Sequence, residues 1–145
     1  MTIEDLIRAI AAKLTALWPG SQVFVDEIPR QADGNLFIGL IDSEQRRGLG
    51  LRRERLYQFE VLYFLRSRKN MDFWAWAESM YQHFDELTVD TGAGARVVHL
   101  TGQAARSDDD NRVYQFMFNA EIMGVHLPEI TDPMEELQYE EKVKA

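Results

Sequence analysis

The chain has 145 residues, 46% of them hydrophobic, with three Trp, eight Phe and five Tyr, which suits one domain with a substantial core and excludes global disorder. It contains no cysteine, which removes disulfides, thiolate metal sites and a thiol nucleophile together. The formal net charge is −8, and the stretch from Pro128 to Ala145, with six acids and two lysines, contributes −4 of it, a balance that argues against general duplex binding.

The opening residues MTIEDLIRAI carry acids early and lack the basic start and apolar run of a signal peptide. No apolar run reaches the ~20 residues that a membrane helix needs, so a soluble intracellular protein is expected. Thr2 and Asp5 have capping-box spacing, and Ile3, Leu6, Ile7, Ile10, Leu14 and Leu17 recur at helical intervals until Pro19 and Gly20, predicting a first helix. Residues 22–28 read as a short strand ended by Pro29, and 30–34 as a turn. Leu36–Ile41 barely alternates, which predicts a compact strand covered on both faces.

Next comes the most distinctive stretch. Arg46, Arg47, Arg52, Arg53 and Arg55 crowd around Gly48 and Gly50, with Glu44 and Glu54 as the acids, and read as a charged, flexible loop. The loop runs into a long strand on which Tyr57, Phe59, Val61, Tyr63 and Leu65 share one face, while Gln58 and Glu60 point the other way. Arginine rather than lysine at this density favours contact, because guanidinium forks pair with carboxylates through two hydrogen bonds. The chain carries its own acceptors at Asp108–Asp110 and at Glu135, Glu136, Glu140 and Glu141, so copies could meet head-to-tail.

Asn70–Leu87 is predicted as a second helix, capped by Asn70, with Phe73, Trp74, Ala77, Met80, Tyr81, Phe84 and Leu87 on its buried side. Trp74 and Trp76 cannot share a helical face, so Trp74 is assigned to the core and Trp76 to its edge, where it can meet a neighbouring subunit. After Gly92 and Gly94, residues 95–105 and 112–123 predict two strands joined by the polar turn SDDDN. Tyr114, Phe116, Phe118, Ala120 and Ile122 form one face of the last strand. The order gives an α+β domain over 1–127, a mainly antiparallel sheet with a long β-hairpin and two helices on one face, followed by an acidic tail over 128–145. The tail's composition fits a short amphipathic helix or a segment that orders on a partner.

No catalytic, cofactor or metal constellation emerges. Asp108–Asp110 lacks the glycine and the terminal glutamate of a calcium loop, and GLGLRR and TGAGAR lack the features of a phosphate cradle. His83, His99 and His126 follow no zinc spacing, and no serine lies in a nucleophile elbow. Asp26 and Glu27, adjacent on a strand, point to opposite faces and are poorly placed as an acid/base pair.

The ThrIleGluAspLeu helix, AspGluIlePro at 26–29, the LeuPheIle strand, the arginine-rich segment entering TyrGlnPheGluValLeuTyrPhe at 57–64, the aromatic helix and the acidic end together resemble the small tail terminator (tail completion) proteins of bacteriophages and prophages of Gram-positive hosts. The likeness spans residues 2 to about 125; the Trp74 and Trp76 helix is more aromatic than the family pattern. The resemblance implies a structural protein without cofactor. It would form a ring, typically hexameric, on the head-proximal end of the tail tube, stop tube growth and offer a docking surface to the neck or head–tail connector protein. It implies a place in the virion tail, after assembly in the host cytoplasm, with no membrane and no specific nucleic-acid partner. The family's long hairpin would correspond to residues 36–65, with the arginine tip reaching a neighbour or the tube. Two alternatives stand beside it: a head–tail connector or neck protein, and a small-molecule binding domain or enzyme, which would need a deep pocket with convergent polar groups.

Overall fold

The structure is a computed structural model that describes residues 1–26, 34–64, 69–108 and 113–125. Helix α1 (Ile3–Leu17) opens as its sequence dictates: the Thr2 hydroxyl accepts from the Asp5 amide, and the Asp5 carboxylate accepts from the Thr2 amide. Those hydrogen bonds, the Thr2 amide first, hold the Asp5 carboxyl below its ordinary pKa. Then come β1 (Val23–Phe24), β2 (Leu36–Arg47), β3 (Arg52–Tyr63), α2 (Asn70–His83), β4 (Glu86–Asp90), β5 (Ala95–Asp108) and β6 (Val113–Val125). The strands form one six-stranded sheet in the order β1-β2-β3-β6-β5-β4, antiparallel except for the β1–β2 pair.

Register explains why one face is greasy. Val61 lies opposite Ile38 on one side and Phe116 on the other, and Phe59 opposite Phe118, so the alternate residues of β2, β3 and β6 stack into one apolar surface. Leu6, Ile10 and Leu14 of α1, and Phe73, Trp76, Ala77 and Met80 of α2, close over that surface in one core. Both helices thus lie on the same face of the sheet. On the opposite face the β3 positions are Glu54, Gln58 and Glu60 interspersed with Leu56 and Leu62, a mixed surface that no helix among the described residues covers.

Several expectations change in three dimensions. The arginine segment is no loop: β2 continues to Arg47 and β3 begins at Arg52, leaving only 48–51 as the tip. The pairing survives there because β6 backs β3 along its whole length, from Tyr63 opposite Tyr114 to Arg52 opposite Val125. Backbone hydrogen bonds on both sides of β3 need no apolar side chains. Leu36–Ile41 is covered on one face: Leu36 and Ile38 are buried under the helices, Phe37 on the other face is half-buried, and Leu40 and Ile41 are exposed where the strand runs out from the helical cover. A register shift between Leu40 and Asp42 marks where β2 leaves the helical cover.

The second helix ends at His83 rather than Leu87, and Leu87 and Val89 instead form the buried alternation of β4, a strand the helical reading absorbed. Its N-cap is Lys69, which makes no side-chain cap bond, not Asn70. The two tryptophans exchange their expected roles. Trp76 is 4% exposed and packs against Trp18, Tyr63 and Phe73, whereas Trp74 is 58% exposed. Phe73, Ala77 and Met80 set the buried face, and Trp76, not Trp74, lies within it. Tyr81 is half exposed, yet its ring meets the edge of Phe116 and its hydroxyl accepts from the Ala105 amide on β5. The strand expected over 22–28 comprises Val23–Phe24 within the described residues, while Glu27, Pro29, Leu65, Asp109, Asp110, His126 and the 128–145 tail lie outside them.

Two outcomes follow. Trp76→Ala should cost about 3–5 kcal/mol in denaturant unfolding, and Trp74→Ala less than about 0.5 kcal/mol. In amide hydrogen exchange, the β3 amides from Arg53 to Tyr63 should be protected, the arginines included, while Leu49 and Gly50 exchange fast; uniform fast exchange at Arg53 and Arg55 would restore the flexible loop.

Candidate assembly interface

The extended hairpin sorts its arginines between two faces. Antiparallel register sets Arg46 opposite Glu54 on the face turned away from α1 and α2, with Glu44 on the same strand face. The Arg46 Nε donates to Glu44 Oε1 at 2.9 Å, and that bond, with the nearby charges of Glu54 and Glu121, raises the guanidinium pKa. On this side of the hairpin the acids Asp42, Glu44, Glu54 and Glu121 more than offset the arginines. Arg52 has the same strand parity, and Val125 is its partner on β6.

The helix-side face is different. Arg47 lies opposite Arg53, and Gln45 opposite Arg55. The Val98 and Leu100 alternation of β5 turns Arg96 to the same side. Arg53, Arg55 and Arg96 line a hollow of about 190 Å³ with Met1, Gln45, Ile122, Met123 and Gly124. Their hydrogen bonds go to uncharged oxygens. Arg55 donates to Gln45 Oε1 at 2.8 Å, Arg53 to the Arg52 carbonyl at 2.9 Å, and Arg96 to the Met123 carbonyl at 3.2 Å. Among the described residues, no carboxylate lines the hollow. Three guanidiniums line one hollow near the start of α1 with no carboxylate beside them among the described residues, an arrangement suited to an anionic partner.

Apolar groups stand out on other parts of the surface. Leu49, 90% exposed, crowns the hairpin tip with Leu51 beside it, and Gly50 at φ +63° makes the tight reversal possible. Met71 and Trp74 project from the outer face of α2, and Tyr81, seven residues beyond Trp74, points within about 20° of it. The edge of β2 beyond Phe37 has no strand partner among the described residues, since β1 pairs only with Leu36 and Phe37. An unpaired edge of that length is a pairing template. Of the sequence-predicted contact residues, the structure brings Arg53 and Arg55 together, places Arg46 and Arg52 on the opposite face with Arg47 beside Arg53, and buries Trp76. Sequence reasoning missed Arg96, which is 41 residues beyond Arg55 in the chain. Only the β3–β6–β5 strand order brings the two side by side.

Among the described residues there is no group of three or more His, Asp or Glu side chains that could hold a metal ion, and no helix is long and apolar enough to cross a membrane. A search among curated proteins finds no match to the chain. A family model described as phage tail terminator protein matches residues 5–132, nearly the whole of the chain. A mainly antiparallel α+β sheet with a long charged hairpin, and a family match that runs through every element of it, make this chain a member of the phage tail terminator family, structural proteins of the phage tail.

Proposed function

We propose that this protein caps the head-proximal end of the tail tube as a ring, hexameric when closed, stops tube polymerisation and presents the docking surface for the neck. It would act in the virion tail, after assembly in the host cytoplasm. The observation that carries the reading, beside family membership, is the hairpin. β3 extends to Arg52 only because β6 supports it, and the result is a stiff arm with an apolar tip and an excess of arginine. Such an arm suits a neighbouring subunit or the tube, because exposed leucines and bidentate guanidiniums are interface groups rather than solubility groups.

Termination needs unlike faces. A heterologous contact that closes into a ring leaves no free lateral edge, and stacking then stops if the top of the ring does not match its bottom. The domain supports this with an uncovered mixed sheet face, a helical face bearing Trp74 and Met71, and an arginine arm at one end. Trp74 replaces Trp76 as the aromatic contact candidate on α2, since Trp76 is enclosed by the core.

Reversing the charge of the arm tests the reading. The variant Arg46→Glu, Arg47→Glu, Arg52→Glu, Arg53→Glu should keep its circular-dichroism spectrum and lose at least about tenfold of its association with the tail tube, because all four side chains are outside the core. Unchanged association by a folded quadruple variant would remove the arm from the interface.

A further inference from the structure

The arginine hollow lies where the described chain leaves the sheet. Ile122, Met123 and Gly124, at the end of β6, form part of its wall, and Gly124 is the strand partner of Arg53. The sequence beyond carries Glu129, Asp132, Glu135, Glu136, Glu140 and Glu141, with no lysine or arginine until Lys142. A cationic hollow without a carboxylate among the described residues is therefore followed, in the same chain, by an acidic segment without a base. We propose that the hollow lined by Arg53, Arg55 and Arg96 is the binding site for the acidic C-terminal segment, residues 129–141, of its own chain.

Reach and charge both favour this occupant. A span of twelve residues separates Gly124 from Glu136. The random-coil end-to-end distance for that number of residues is about 20 Å, which is ample for a segment that starts at the rim. Tethering holds the carboxylates at an effective concentration on the order of millimolar, above what a free acidic partner reaches without its own affinity. Guanidiniums whose acceptors among the described residues are carbonyl, amide and hydroxyl oxygens would gain charge-assisted pairs with carboxylates. Arg46, on the far side of the hairpin, already has Glu44 and takes no part. The inference does not depend on the ring or on the tube.

Absence of cysteine allows a clean trap in the full-length chain. Gln45 lines the hollow, so Gln45→Cys with Glu136→Cys should oxidise to an intrachain disulfide. Its rate should be at least about tenfold that of a control pair, Glu78→Cys with Glu136→Cys, whose first cysteine sits on the exposed face of α2. Adding 0.5 M NaCl, or Arg53→Glu with Arg96→Glu, should remove most of that advantage. Lys substitutions at Glu135 and Glu140, outside the described domain, should do the same and cover the case in which the arginine variant fails to fold. Equal rates for the two pairs would overturn the proposal. A product that is mainly interchain would also overturn it, by assigning the hollow to the segment of another copy.

Discussion

The twelve-residue antiparallel pairing of β3 with β6 is what both the core and the arm depend on. At one end it aligns Tyr63 with Tyr114, Val61 with Phe116 and Phe59 with Phe118, creating the aromatic floor onto which α1 and α2 pack. At the other end, past the helices, the same ladder continues between residues of which only Ile122 is buried. Hydrophobic burial stabilises the first half, and the backbone hydrogen bonds of the second half are carried by cooperativity with it. At about 3.3 Å per residue, the eleven steps from Arg52 to Tyr63 cover roughly 36 Å, so the arm and the stacked end of the core lie at opposite ends of the domain. A protein with separate groups at its two ends is suited to contacts between unlike surfaces of successive copies.

Charge then distinguishes the two sides of that arm. Where Arg46 meets Glu44 and lies near Glu54 and Glu121, the surface is exposed and its arginines are offset, and such pairs contribute little to stability. On the other side Arg53, Arg55 and Arg96 line one hollow without a carboxylate among the described residues. A single tract of five arginines thus has two physical characters, set only by strand parity. Elsewhere the molecule handles its polar groups locally: Lys13 donates to the Glu86 carbonyl at 2.7 Å and lies over the Phe84 ring, and burial lowers its pKa. The Trp76 indole N–H is buried and has no acceptor among the described residues, the one polar side-chain atom there that the core leaves unpaired.

Much of the fold was legible where periodicity and local chemistry agree. Thr2 and Asp5 announced the capping box, and the alternation from Tyr114 to Ile122 announced the buried face of β6. The family, too, was recognisable from the order of residue types along the chain. Misreadings arose where tertiary context overrides local signal. Glycines and arginines around residue 50 resemble a loop, and only the non-local partner β6 turns them into strand. Leu87 fits both the stripe of α2 and the alternation of β4, and the β-branched Thr88 and Val89 favour the strand. With Phe73, Ala77 and Met80 buried, the centre of the inner face lies between them and includes Trp76, so a shift of part of a turn reverses the roles of the two tryptophans. The candidate site was half visible: its hairpin arginines stand out in sequence, but Arg96 carries no sequence signal and is recruited by strand order alone.

The most direct measurement is the mass and location of the protein on tail tubes. Purified protein would be mixed with its tube protein, then followed by multi-angle light scattering and negative-stain microscopy. Termination by a ring requires a closed oligomer, formed alone or only on the tube, at one end of tubes that no longer lengthen. A protein that stays unattached while the tubes grow unchanged would contradict it.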